Sequence, residues 1–306
     1  MMMEIRHIPA GSINREEWDS WVTATANRRI YACSVFLDIF APGWGALVMG
    51  SGDAVMPLAV NRKWGISYLF QPVFIQQLGI LMKDASVDYT DQFLERVSST
   101  YRFSDIALNE MNDPDPARYH CVNMTNYLLR LDRSYNELAK GYDTNTVRNI
   151  RKADRLGVDL RPHEHVDEVV RIFALNGRRL YPNIRNINYS RLEKVLERGL
   201  SDGFIEMRGA FSPGGELIAA LCMLADYDRH VFFFSANTAE GRNTGAMFLL
   251  VDSFIQQYAG SGRTFDFNGS VNPGMARFYK GFGSGAATYS RIRINRLPFP
   301  VSLLKG

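Results

Sequence analysis

The segment Val231–Arg293, VFFFSANTAEGRNTGAMFLLVDSFIQQYAGSGRTFDFNGSVNPGMARFYKGFGSGAATYSRIR, changes its hydrophobic period repeatedly, and that alternation leaves few architectures open. Val231–Asn237 is a short apolar run ending in polar residues, which suits a buried strand. Thr238–Gly245 is small and polar and reads as a loop. Ala246–Tyr258 then sets Phe248, Leu249, Val251, Phe254 and Ile255 at helical spacing, with Gly260 and Gly262 closing the helix. Thr264–Asn268 is a second short strand. Pro273 opens another helix at its favoured first position, Gly281 and Gly283 end it, and a last strand follows. The expected place for chemistry is the mouth between those strands and helix starts.

The chain before this stretch repeats the same order of elements without repeating its residues. Asn14-Arg15-Glu16-Glu17 is a cap with an acidic residue three positions on, opening a helix that turns Trp18, Trp21 and Val22 inward. Ala46–Met49 and Ala54–Asn61 flank Ser51-Gly52-Asp53 as a hairpin, and Ile66–Phe70 is a further strand. Asp88–Ser99 reads as a helix, and Phe103–Asn109 and Asn126–Leu131 alternate as half-buried strands. Ser134-Tyr135-Asn136-Glu137 is a capping box, and Thr144–Leu156 is a helix ended by Gly157. Phe204–Phe211 and Glu216–Tyr227 form a hairpin across Ser212-Pro213-Gly214-Gly215. Helices first, then a hairpin, then strand–helix–strand: the order occurs twice and suggests two α/β lobes, residues 1–140 and 141–306.

At 306 residues there is room for one large or two medium domains, and no apolar run approaches the ~18 residues of a membrane-spanning helix. The start, MMMEIRHIPAGSINREEW, carries charge where a signal peptide needs an apolar core, so a cytoplasmic protein is expected. Cys33, Cys121 and Cys222 are odd in number and far apart, which fits reduced thiols. The net charge of +3 conceals an asymmetry. Residues 140–200 hold 13 Lys and Arg against 8 Asp and Glu, and the remainder holds 22 against 24. That basic middle either faces phosphates or forms solvated helix faces. His163-Glu164-His165 places two imidazoles near each other, but a zinc site needs a third ligand, so no metal is expected.

Two segments carry a family resemblance. NTVRNIRKADRLGV (Asn145–Val158) resembles the basic R-x-x-x-R-K-A-x-x-x-G-V helix joining the lobes in the FemABX-like branch of the GNAT acyltransferase superfamily. FDFNGSVNPGMARFYKGFGSGAATYSRIR resembles the end of the same family: a D-F-x-G strand, a helix reading F-K-x-x-F-G, then a strand. With PVFIQQLGIL the resemblance covers most of the chain. It implies the α+β type of α/β fold: two GNAT-like lobes, each a mixed, mostly antiparallel sheet flanked by helices, with a donor site in the second lobe. It further implies an N-acyltransferase that moves an acyl group from a thioester, acyl-CoA or acyl-carrier protein, to a primary amine. The branch also contains enzymes that draw on aminoacyl-tRNA to extend a cell-wall precursor, and a GNAT-like scaffold can persist as a non-catalytic binding module. Small-molecule donor and acceptor are expected as partners, tRNA is an alternative, and no DNA is expected.

Two positions depart from the family pattern. Arg242-Asn243-Thr244-Gly245-Ala246-Met247 supplies the arginine and glycine of Q/R-x-x-G-x-G/A but ends in Met247, and Tyr279 stands where the family has lysine, with Lys280 one residue later. A loop of small residues before a helix can present N–H groups to phosphate, so Gly241, Arg242, Asn243, Thr244, Gly245 and Ala246 are the donor-binding candidates. Asp266 and Asn268 alternate with Phe265 and Phe267 and so share a strand face. On a cleft wall, Asp266 would act as base or hold the acceptor ammonium, with Asn268 beside it. The alternative is a carboxylate satisfied by a backbone amide or by Arg277. The resemblance suggests Tyr279 as the acid, and Lys280 could steady the transition-state oxygen. Arg178, Arg179 and Tyr181, in a long polar connection, are acceptor-binding candidates because guanidinium forks suit carboxylates and phosphates.

Overall fold

In the computed structural model, which describes residues 4–176, 188–269 and 272–299, the chain forms two units. One is Met1–Met124 together with Thr288–Gly306, and the other is Thr125–Ala287. In chain order the elements of the first stretch are β1 (Ile5–Ile8), α1 (Arg15–Ala24), α2 (Ser34–Phe40), β2 (Gly45–Met49), β3 (Ala54–Leu58), β4 (Val60–Lys63), β5 (Ile66–Phe70), β6 (Leu81–Met82), α3 (Thr90–Thr100) and β7 (Phe103–Ala107). Strand β8 (His120–Arg130) leads into the second unit, which holds α4 (Tyr135–Ala139), α5 (Thr144–Arg155), β9 (Asp159–Pro162), α6 (Val166–Asn176), α7 (Tyr189–Asp202), β10 (Ile205–Phe211), β11 (Leu217–Asp226) and β12 (Arg229–Asn237). It continues with α8 (Ala239–Thr244), α9 (Ala246–Tyr258), β13 (Thr264–Asp266) and α10 (Pro273–Lys280), and β14 (Gly285–Asn295) returns the chain to the first.

The chain thus passes between units twice, inside β8 and β14, where sequence order suggests one boundary near residue 140. The reason is packing. Leu131 and Leu138 are buried with Phe254, Phe265 and Phe282 of the second unit. Ile292 and Ile294 lie in the core of the first with Phe93, Val97 and Ile106.

In the first unit, β1, β2, β3 and β6 form one antiparallel sheet. Strand β5 pairs antiparallel with β4 and parallel with β7, and β7 pairs antiparallel with β14. The run Ala54–Asn61, expected as one strand, is two strands that serve different sheets. Arg291 and Arg293 of β14 clamp the carboxylate of Asp105 on β7 at 2.6 and 2.9 Å. Asn14 caps α1, accepting the Glu17 N–H at 3.2 Å, as its spacing predicts.

In the second unit the strand order is β8-β13-β12-β11-β10-β9, with only β12 and β13 parallel. Helix α9 is the central packing element and buries Leu250, Val251, Phe254 and Ile255. The Ser134–Glu137 capping box forms as read from the sequence. On α9, Asp252 is buried and accepts from the Tyr135 and Tyr142 hydroxyls, each at 2.9 Å, which ties the segment before α5 to this helix. Burial raises the pKa of Asp252, and the two hydroxyls only partly offset it.

Candidate active site

Strands β12 and β13 are paired only from Arg229 opposite Thr264 to Val231 opposite Asp266. Beyond that point β12 continues beside β11, while the Phe267 N–H donates to Tyr127 O on the β8 side at 2.9 Å. The two strands therefore separate and a wedge opens between them. Strand β12 also carries a bulge. Its partners on β11 step from Cys222 opposite Phe234 to Met223 opposite Phe232, so Phe233 has no counterpart. One extra residue reverses the faces that follow. The Phe234 ring consequently meets Phe173 of α6 at 4.7 Å, whereas Phe232 meets Tyr279 of α10 at 5.9 Å.

Tyr279 occupies the wedge. Its ring centroid lies 5.0 Å from Phe267, 5.9 Å from Phe232 and 5.9 Å from Tyr127, and the residue is 3% exposed. Lys280 is exposed, with Nζ 5.7 Å from the Tyr127 ring, so Tyr127 touches both candidates. Nothing in its strand pattern distinguishes Tyr127 from an ordinary core position, and sequence reasoning missed it. Helix α10 is held at both ends: Asn272 caps its start by accepting from the Gly274 N–H at 2.8 Å, and the Asp143 N–H donates to Gly281 O at 2.9 Å.

Asp266 is 4% exposed and its oxygens are engaged. Oδ1 accepts from Asn126 Nδ2 at 2.9 Å and from the Asn268 N–H at 2.8 Å, and Oδ2 pairs with the Arg229 guanidinium at 3.1 Å. The partner is thus Arg229 and not Arg277. The strand stops at Asp266, and Asn268 takes a left-handed conformation with φ of 60°. The alternation expected to put Asp266 and Asn268 on one face ends before Asn268, and a turn joins them instead.

The donor-binding candidates do not form a loop. Ala239–Thr244 is the short helix α8, capped by Thr238, whose Oγ1 accepts the Gly241 N–H at 3.1 Å. Gly241 is buried, the Arg242 N–H donates to Thr238 O, and the Arg242 guanidinium donates to Asn237 O at 2.8 Å. Six small or polar residues lack the length for an apolar stripe, so a helix there leaves no periodic signal. Gly245 ends α8 and starts α9 with φ of 85°, and Ala246 behind it is fully buried. A β-carbon at Gly245 would lie 2.8 Å from the Asn149 carbonyl, so α5 rests directly on this junction. Lys152 of α5 donates to Asn243 O at 2.5 Å.

Helix α5 carries its charge on one face. Arg148, Arg151, Lys152 and Arg155 follow i, i+3, i+4, i+7 spacing, while Thr146 and Ala153 are buried behind them. The four line a cleft of about 740 Å³ with Tyr142 and Val147. Arg148 donates to Asn145 Oδ1, and among the described residues none of the four pairs with a carboxylate. By contrast Arg161, Arg198, Arg208, Arg229, Arg291 and Arg293 all do.

Arg178, Arg179 and Tyr181 lie outside the described residues. His163 is buried, its ring 5.5 Å from that of His165 and its Nε2 3.4 Å from Glu168. Among the described residues no three His, Cys, Asp or Glu side chains converge as a metal site would require. His230 lies inside β12 and stacks on Tyr258 at 3.6 Å.

Residues 142–281 match the acetyltransferase (GNAT) domain family. The whole chain is similar in fold to FemX, with a TM-score of 0.67 at 13% identity over 99% of each chain. It is also similar to the C-terminal domain of a putative lysylphosphatidylglycerol synthetase from Agrobacterium fabrum, with a TM-score of 0.59 at 10% identity over 95% of this chain and 94% of that one. A tandem GNAT protein from the clavulanic acid biosynthesis pathway matches with a TM-score of 0.51 at 14% identity over 95% and 98%. No curated protein sequence matches. At these identities the structural likenesses establish the fold.

Proposed function

We propose that this chain, a GNAT-superfamily acyltransferase of the FemABX-like kind, moves an aminoacyl group from aminoacyl-tRNA to a primary amine. The observation that carries the reading is the face of α5. Four cations that have no carboxylate partner among the described residues line one cleft, beside the α8–α9 junction and on the helix whose start holds the end of α10. Guanidinium forks match phosphodiester oxygens, and several in a row suit a polyphosphate backbone better than a lone pyrophosphate. The engaged amides of α8 support the same choice, because the pyrophosphate of an acyl-CoA donor would rely on them. The lysylphosphatidylglycerol synthetase likeness adds an aminoacyl transfer among proteins of this fold.

Transfer belongs in the wedge between β12 and β13. The neutral amine attacks the ester carbonyl carbon, the carbon–oxygen bond to the terminal ribose breaks, and the proton shed by the amine balances the one taken up by the leaving oxygen. Tyr279 is assigned the proton delivery and Lys280 the developing oxyanion. Asp266 is assigned to positioning, since Arg229, Asn126 and the Asn268 N–H already engage it. Asn268 stands on the acceptor side.

Fluorescence anisotropy with labelled tRNA, alongside thermal shift with acetyl-CoA, tests the reading. The double variant Arg151→Glu/Arg155→Glu should weaken tRNA binding and reduce the slope of log affinity against log salt by about 2. Stabilisation by acetyl-CoA with no tRNA binding would reassign the donor to a thioester. Silence from both would leave a binding module.

A further inference from the structure

A second charged surface lies in the first unit, in residues the transfer reaction does not use. Strands β4 and β5 are joined by the two-residue turn Trp64-Gly65, with Lys63 opposite Ile66. Both turn residues have positive φ, 52° and 79°, as in a type I′ turn. That turn favours Asn-Gly, and a bulky residue at its first position is strained. Tryptophan nevertheless sits there, 70% exposed, with Lys63 Nζ 4.7 Å from its ring.

The register places more of the same chemistry at this end of the sheet. Leu69 stands opposite Ser104 in parallel, so the β4–β5 tip projects roughly 10 Å past the start of β7. Arg102 precedes that start, and its carbonyl accepts the Arg296 N–H at 2.7 Å, since Asn295 pairs with Phe103. Arg62, Lys63, Arg102 and Arg296 are all exposed, and among the described residues none pairs with a carboxylate. Arg62 and Arg296 donate instead to the carbonyls of Gly65 and Ser98. Phe299, three residues beyond Arg296, is 81% exposed.

We propose that this end of the first unit docks on an anionic lipid surface, with Trp64 entering the headgroup layer and the four cations meeting lipid phosphates. Projecting aromatic rings with a cationic rim are what such an interface selects, and each cation near it strengthens binding roughly fivefold. A folded polyanion would answer the charges but leave a tip aromatic held in a strained turn without a purpose.

The test is co-sedimentation of the full chain with phosphatidylglycerol–phosphatidylcholine vesicles and with phosphatidylcholine vesicles alone, at low salt. The wild type should sediment with the first, and its tryptophan emission should shift to the blue. Trp18 and Trp44 are 1% exposed and Trp21 is half-buried, so the part of that shift lost in Trp64→Asn is the part that reports on Trp64. Trp64→Asn gives the turn its preferred residue and should fold at least as well, yet lose roughly tenfold or more in partitioning. Lys63→Gln should cost about fivefold. Equal sedimentation of Trp64→Asn and wild type, equal binding to both vesicle types, or no binding to either would overturn the proposal. So would binding of tRNA that falls with Trp64→Asn, which would make the face a nucleic-acid surface.

Discussion

Replacing Gly245 with alanine adds one methyl group at the point where α8, α9 and α5 meet, and the structure sets what that methyl meets. Two costs arise. The backbone is left-handed, φ 85°, which costs a residue with a β-carbon roughly 1–2 kcal/mol. The new atom would also lie 2.8 Å from the Asn149 carbonyl oxygen and 3.3 Å from its Cβ. Neither neighbour is the end of a flexible chain, so α5 itself must shift, an overpacking cost of about 1–3 kcal/mol. Gly203, which ends α7, carries the first cost alone. Its φ is 77°, and nothing lies within 4 Å of a β-carbon there. At about 2 °C per kcal/mol, Gly203→Ala should therefore lower the melting temperature by roughly 2–4 °C and Gly245→Ala by roughly 4–10 °C. Scanning calorimetry of the two variants beside the wild type measures the difference. If the two melt together, α5 does not bear on this junction as described, and the placement of its cationic cleft beside α8 fails with it. Displacing α5 should also break the Lys152 contact to Asn243, so Gly245→Ala should bind tRNA more weakly than Gly203→Ala.

Two further expectations concern the wedge and its flank. Tyr279→Phe should lower turnover roughly 10²- to 10⁴-fold with donor affinity unchanged, and equal single-turnover rates would remove Tyr279 from the acid role. His230 has its pKa pushed down to about 4, by burial first and by Arg263 second. The unfolded chain then binds the extra proton between about pH 6.5 and 4, so stability is full above 6.5 and falls as the pH drops through that window. The full linkage is about 3.4 kcal/mol, and solvent screening reduces it to roughly 2 kcal/mol. Urea midpoints across pH 7 to 4 should show the decline in the wild type and a flatter profile in His230→Phe; parallel profiles would assign the decline to other groups.

What could be read from residues alone follows a physical division. The Asn14 and Ser134 caps, the Pro273 start and the Ser212–Gly215 hairpin depend on contacts within a few residues, and their signatures are local. The basic character of α5 was visible in its residues, though not as a single face. The absence of carboxylates opposite it was not, because that is a property of everything packed nearby. Arg229 and Asp266 are brought together by a strand pairing that no composition encodes, so of the two partners the sequence offers for Asp266 the backbone amide is found, while Arg229 stands in place of Arg277. Helix α8 was hidden by its brevity. The split of Ala54–Asn61 between two sheets was hidden because both halves keep a strand's character while their partners differ. Tyr127 acquires its place only when α10 delivers Tyr279 and Lys280 to it.

The passage of the chain through β8 and β14 has a consequence for the order of assembly during synthesis. The second unit, Thr125–Ala287, is continuous and has all its strands once residue 287 is made. The first begins earlier but lacks β14 until the final residues follow. Until then β7 has one open edge, Asp105 waits without Arg291 and Arg293, and the Leu108 N–H lacks its acceptor, Ser290 O. A domain begun first is therefore completed last, with an unpaired strand edge exposed in the interval.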